Sequence, residues 1–322
     1  MFLDLSLLVL GFYLLAKGAD ALVEGAATVA TRMGVDKWVV GLTVVAWGTS
    51  LPEVVVSGLA AYEGRPEWAL QNVLGSNVAN AGLVLGTVGL ILPRALVGRL
   101  SMKESAPLVL SLAVLYFVVR DGVVTRVEAG ILTAAFAAYT AELLFFRGKG
   151  EQSPAADVQD TETHAAYPWL RVVLGSLSIG VGAKLVMDGA EGIAASLGLK
   201  DGVVGLVIFA LGTSLPELAA GVVSARKGHT EIGLGNIVGS NVFNTLAVVG
   251  ISGLVAPFGV GASSTPDWNS AVDDALQRDL PVNVVFALFL VLGPVVFRGR
   301  AARLRALGLL VAWVGYVLSI SS

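Results

Sequence analysis

The sequence predicts an all-α polytopic membrane protein with ten transmembrane helices in two inverted five-helix repeats. Three observations carry that reading. Of 322 residues, 55% are hydrophobic and only 14% charged, with a mean hydropathy of +0.79, too little polar surface to coat a water-soluble globule. Apolar segments of roughly 17 to 25 residues recur between short polar clusters, the length a bilayer core asks of a helix, and strand-like alternation is absent. A set of polar motifs returns once, at a constant offset of 164 residues, from Thr49 to Thr213 and from Asn80 to Asn244.

In chain order the spans are expected near residues 3 to 30, 38 to 61, 69 to 92, 105 to 120 and 127 to 146, then 169 to 196, 202 to 225, 232 to 256, 281 to 297 and 305 to 320. The first lacks a basic leader and a small-residue cleavage site, so it reads as a retained span rather than a signal peptide. Residues 148–168 read as a short cytoplasmic linker between a first repeat at 1–147 and a second at 169–322. Numbering the loops alternately, one set holds fourteen Lys and Arg residues and the other five, Arg65, Arg120, Arg126, Lys200 and Arg278. Basic residues stay cytoplasmic, so both termini and the acidic Asp267 to Asp279 segment, read as a solvated loop, are expected outside. An odd number of spans per half inverts the second copy relative to the first. Such repeats place a binding site at the midplane where the halves meet.

The repeated letters are GTSLPE (Gly48 to Glu53, Gly212 to Glu217) and NVLGSNVAN against NIVGSNVFN (Asn72 to Asn80, Asn236 to Asn244). A repeat kept only for packing would preserve apolar positions; this one preserves hydroxyls, amides and carboxylates. A carboxylate at mid-bilayer costs roughly 2.5–3.5 kcal/mol on insertion scales, and spans two and seven offer no Lys or Arg near Glu53 or Glu217. A bound cation is the economical partner. Pro52 and Pro216 should kink their helices and free carbonyls near Ala46 and Ala210. Thr49, Ser50, Thr213 and Ser214 add hydroxyl oxygens; Ser76, Asn80, Ser240 and Asn244 add neutral ones, with each Ser and Asn four residues apart on one helical face. This all-oxygen set suits a hard cation, calcium before magnesium. The chain has no Cys and two His, His164 and His229, both in predicted loops, so zinc and copper are poorly served.

Other polar residues have plainer readings. Asn72 and Asn236 read as glue between helices. Lys17, Asp20 and Glu24 in span one, with Lys184, Asp188 and Glu191 in span six, read as internal ion pairs near the helix ends. Gly48, Gly75, Gly212 and Gly239 sit beside the candidate ligands, where small residues permit close helix approach.

The paired GTSLPE and GSNVxN segments resemble the alpha-repeats of the sodium/calcium exchanger branch of the calcium/cation antiporter superfamily, prokaryotic type, and the resemblance extends over nearly the whole chain. It implies a secondary antiporter, not an enzyme, that exchanges sodium for calcium by alternating access, with no cofactor. Its partners would be the two ions and the bilayer; the net charge of −3 gives no reason to expect nucleic acid. The resemblance assigns Glu53 and Glu217 as central calcium ligands, the eight Ser, Thr and Asn residues above as sodium or calcium oxygens, and Ala46 and Ala210 as backbone donors. Some relatives carry Asp where Asn244 stands, so this site holds one negative charge fewer. The alternative is a proton-coupled exchanger of calcium or another divalent cation on the same fold. A hydrolase using Ser50 or Ser214 lacks a histidine base in any span, and a channel would not need two occluding inverted halves.

Overall fold

The computed structural model describes residues 1–93, 102–147, 166–197, 212–260, 266–296 and 301–321. Among these, each expected span carries a helix: α1 (Phe2–Met33), α2 (Lys37–Tyr62), α3 (Pro66–Ile91), α4 (Met102–Val119), α5 (Arg126–Glu142), α6 (Pro168–Ser196), α7 (Leu215–Arg226), α8 (Thr230–Val255), α9 (266–296) and α10 (Ala301–Ser321). Seven of the helices are long and apolar enough to cross a membrane. Their ends follow local rules. Gly34, with φ of 62°, closes α1 by donating to the Thr31 and Ala30 carbonyls. Asp36 caps α2 by accepting from the Trp38 amide at 2.7 Å. Thr125 and Glu128 form a reciprocal capping box at the start of α5.

The repeat is visible in the backbone. Helices α3 and α8 both start and end 164 residues apart, and each is interrupted at the same place by a π-turn, Asn80–Val84 in one and Asn244–Val248 in the other. A π-turn inserts one residue into the helical ladder and is often found at functional positions. These two helices form the centre. The most apolar stretch of α8 is 89% buried and that of α3 72%, against 22% for α1, α5 and α10, whose exposed Phe2, Phe12, Ile131 and Leu318 suit lipid. Polar groups on α3 and α8 therefore face protein, not hydrocarbon.

Helices α1 and α6 pack as an antiparallel pair through glycines spaced seven residues apart on both, Gly11, Gly18 and Gly25 on α1 and Gly175, Gly182 and Gly189 on α6: Gly11 meets Gly182, Gly18 meets Gly175, Gly25 meets the Pro168 backbone and Gly189 meets that of Asp4. A Cβ at Gly18 would lie 2.8 Å from the Gly175 carbonyl oxygen, and one at Gly182 would lie 2.8 Å from that of Gly11. Backbone thus meets backbone, the contact that small residues make possible inside a membrane. The pair also reaches the repeated motif. Ser176 Oγ occupies the space a Cβ at Gly48 would need, Gly180 faces Pro52, and Met187 packs on Gly212. Gly239 approaches the Leu42 backbone in the same way, whereas a Cβ at Gly75 would meet no described atom within 4 Å.

One expectation is corrected here. The acidic segment is not a solvated loop: α9 begins at Pro266 and turns through a π-turn at Ala275–Asp279 into Leu280–Val296. Trp268, Ala271, Val272 and Ala275 form its buried stripe, and Trp268 Nε1 donates to the Gly122 carbonyl at 2.7 Å. Asp279 is itself buried, accepting from Arg278 and Tyr316. Asp20 and Glu24 of α1 do pair, with residues outside their own helix. Lys227, just past α7, reaches Asp20 at 2.6 Å and also Glu24, which takes Arg171 of α6 as well; Lys184 stays on its own helix with Asp188 at 2.5 Å. Because Lys227 and Arg171 share Glu24 while partly exposed, Glu24→Gln should cost only about 1 kcal/mol of thermal stability in detergent, a loss that high salt erases. The expected linker falls mostly outside the described residues.

Candidate functional site

GTSLPE has two different local structures. In the first copy the helix runs through the motif: a π-turn at Gly41–Val45 leads into Ala46–Tyr62, with Pro52 inside. Pro52 has no N–H, so the carbonyl four residues earlier, that of Gly48, loses its usual helical donor. The Ala46 carbonyl, expected to be freed, lies 3.3 Å from the Thr49 hydroxyl and shares that hydroxyl's single proton with Asn236 Oδ1. In the second copy Thr213 and Ser214 form a turn, and α7 starts at Leu215, with Pro216 in its first turn where no helical N–H is required. Pro216 therefore stands in the first turn of α7, after a two-residue break that follows the helical Gly212. Glu217 lies in that first turn, beside the free N–H groups and positive dipole end of α7. Ala210 lies outside the described residues.

The side chains of the two copies converge. Glu53, Glu217, Thr49, Ser50, Ser214, Ser240, Asn80 and Asn244 are all fully buried, and Ser76 and Thr213 nearly so. Ser50 Oγ donates to Glu217 Oε1 at 2.8 Å and lies 3.0 Å from Ser240 Oγ, so one hydroxyl of the first repeat meets the carboxylate and the serine of the second. Thr49 Oγ1 reaches Asn236 Oδ1 at 3.1 Å, and Ser76 Oγ lies 3.1 Å from Thr213 Oγ1. A hydroxyl has a single proton, so these contacts leave most of the oxygens with open lone pairs.

The unpartnered atoms are the informative ones. Both oxygens of Glu53, Oε2 of Glu217, Oγ of Ser214, Oδ1 of Asn80 and both polar atoms of Asn244 are buried without a hydrogen-bond partner. Buried polar atoms are nearly always paired, and a cluster of unpaired oxygens on two carboxylates asks for a positive ligand. Among the described residues no group of three or more His, Cys, Asp or Glu assembles, so the acidic charge here comes from two carboxylates and every other donor is neutral.

The glue residues diverge. Asn72 Nδ2 donates to Ser57 Oγ at 2.9 Å, joining α2 to α3, whereas Asn236 accepts from Thr49 inside the cluster. Sequence reasoning passed over Asn77, Asn241 and Thr245. Asn80 Nδ2 donates to Asn241 Oδ1 at 3.0 Å, Asn241 Nδ2 to the Asn77 carbonyl at 3.3 Å, and Asn77 Nδ2 to Thr245 Oγ1 at 2.9 Å, stitching α3 to α8. The 164-residue offset between Asn77 and Asn241 was a signal that could have found the first two.

Known proteins resemble this chain over most of its length. The family described as "Sodium/calcium exchanger protein" matches residues 3–145 and 167–321. Putative antiporter CaxA of Alkalimonas amylolytica is 35% identical, over 95% of each chain. Sodium/calcium exchanger MaX1 of Methanosarcina acetivorans is 33% identical over 80% of this chain and 85% of its own. Inner membrane protein YrbG of Escherichia coli is 32% identical over 80% of this chain and 81% of its own. A structure of the sodium-calcium exchanger NCX_Mj, soaked with 10 mM Na+ and zero Ca2+, superposes with a TM-score of 0.76 at 26% identity, covering 99% of both chains. With two copies of a carboxylate-bearing motif meeting inside a helical membrane bundle, and a family match over nearly its whole length, the chain belongs to the sodium/calcium exchanger protein family.

Proposed function

We propose that this protein exchanges sodium for calcium across a membrane by alternating access, binding both ions between the two repeats. The observation that carries the proposal is the buried set of unpartnered oxygens on Glu53, Glu217, Ser214, Asn80 and Asn244. The ligand set is those residues together with Thr49, Ser50, Thr213, Ser76, Ser240 and the main-chain carbonyls of Ala46 and Ala210. Calcium takes six to eight oxygens in loose geometry and suits so large and mixed a set better than magnesium does. Two carboxylates carry a charge of −2, which one calcium or two sodium ions cancel. Either filling lets the barrier helices pass a neutral site, while an empty site leaves two buried charges and resists the uncoupled return. A third sodium would move one net charge per cycle, worth about 2.3 kcal/mol per 100 mV.

The repeats divide at a cytoplasmic linker, residues 148–168, with both termini outside and the chain in the cell (inner) membrane. The loop charges support this orientation, as does the grouping of Arg171 and Lys227 at one end of the bundle with α1. No cofactor or catalytic step is required. Ser50→Ala removes the hydroxyl that bridges Glu217 and Ser240 while leaving both carboxylates, so it should raise the KM for calcium about tenfold and spare the fold. The test of the function is calcium-45 uptake into sodium-loaded proteoliposomes, against potassium-loaded and choline-loaded controls and an imposed pH gradient. Uptake that needs the outward sodium gradient is expected; uptake driven only by protons would overturn the coupling ion.

A further inference from the structure

The two amide residues of the proposed ion site are held differently. Asn244 has neither its oxygen nor its nitrogen bonded, whereas Asn80 is bonded at one end only. An amide's oxygen and nitrogen have nearly the same shape, so an asparagine that must give oxygen to a cation needs something to choose its face. At Asn80 that choice can be traced to the backbone. The Asn77 carbonyl can only accept, so the end of Asn241 that faces it, at 3.3 Å, is Nδ2. Asn241 must then turn Oδ1 to Asn80, and Asn80 must answer with Nδ2, at 3.0 Å. The Asn80 Oδ1 is left pointing away from Asn241, buried and unpartnered. Every step follows from which atoms can donate, and all three side chains are buried, so water does not compete for them.

We infer that Asn241 is a positioning residue, one that fixes the amide orientation of Asn80 so that its oxygen, and not its nitrogen, faces the cation. The inference rests on the proposed function, because it takes Asn80 as a cation ligand. A parallel chain runs beside it. Thr245 gives its single proton to the Asn241 carbonyl at 2.8 Å and so accepts from Asn77 Nδ2, which fixes Asn77 by the same logic. Asn241 touches no ion in this scheme; it acts through Asn80 across the interface between repeats. The symmetric Asn244 has no such guide, so the two halves of a duplicated site present unequal ligands.

The test uses full-length protein in proteoliposomes and reads the calcium dependence of sodium-driven uptake. Asn241→Leu keeps size and removes the orienting acceptor; it should raise the KM for calcium about fivefold with little change in maximal rate. Asn80→Asp added to Asn241→Leu should restore the KM, because a carboxylate offers oxygen on either face and needs no orienting. Asn80→Asp alone should gain no calcium affinity despite its added charge. Asn241 could turn its nitrogen to meet the new carboxylate only by facing its oxygen against the Asn77 carbonyl. An unchanged KM in Asn241→Leu, a raised KM that Asn80→Asp does not rescue, or a several-fold gain in affinity from Asn80→Asp alone would each overturn the inference. Should Asn241→Leu not fold, the Asn80→Asp single variant decides. Wild-type protein without sodium-driven calcium uptake would instead overturn the proposed function, a distinct result.

Discussion

Glu53→Gln and Glu217→Gln should each bring sodium-driven calcium uptake down to the level of empty liposomes, at least a hundredfold below wild type. Glutamine keeps the shape of the side chain and one oxygen, so the change is one of charge. With a single carboxylate left, a bound calcium ion carries a net +1 into a fully buried site. An uncompensated buried charge costs roughly 3–5 kcal/mol, which is about two to four orders of magnitude in binding. The same variants have a second signature that separates lost ion binding from lost folding. Without ions the wild type buries two carboxylates whose oxygens are largely unpartnered, so each Gln variant should melt at a higher temperature than wild type in calcium-free, sodium-free detergent. It should also lose the rise in melting temperature that calcium gives the wild type. Glu53→Gln should be the more stabilised of the two, since neither oxygen of Glu53 is bonded while Glu217 already accepts from Ser50. Normal calcium uptake by either variant would remove the carboxylate pair from the mechanism.

Gly18→Leu is expected to abolish transport by a different route, through the α1–α6 seam. The added Cβ alone would sit 2.8 Å from the Gly175 carbonyl oxygen and 2.9 Å from the Ile179 amide nitrogen, both backbone atoms that no rotamer change can move. The helices must part, and contacts along the seam go with them. Overpacking of a tight interior costs about 1–3 kcal/mol for small insertions, and a whole isobutyl group against backbone exceeds that range. Gly18→Ala should show a weaker form of the same defect, a lower melting temperature and slower uptake. Gly130→Ala is the control, because a Cβ there meets nothing within 4 Å. If Gly18→Leu melts and transports like wild type, the seam is not a fixed contact.

Much of the fold was legible because a membrane leaves few options. Apolar length gave helices at the expected positions, seven of them long and apolar enough to cross a membrane among the described residues, and the 164-residue offset marked α3 and α8, whose π-turns lie 164 residues apart. The start of α9 was missed for a physical reason. Averaged over PDWNSAVDDALQRD the composition is polar, yet Trp268, Ala271, Val272 and Ala275 recur at helical spacing while Asp267 and Asp273 fall on the outer face. A hydropathy average erases that stripe; a periodicity reading keeps it. The unequal structure of the two GTSLPE copies was beyond reach from identical letters. Pro52 lies inside a continuous helix while Pro216 lies in the first turn of one after a two-residue break, and the six letters are the same in both. Asn241 is not marked by the four-residue spacing that puts Ser240 and Asn244 on one helical face, because it points to a different side of the helix.

The glycine seam also bears on how the two halves of the site keep in step. Since α6 is locked to α1 along the seam and lies against Gly48 and Pro52 at one point and Gly212 at another, it is a single stiff lever resting on both copies of the motif. Such a lever cannot be displaced over one copy without being displaced over the other. Any shift of α6 during transport would therefore reach both copies of the motif together, through contact with a shared part.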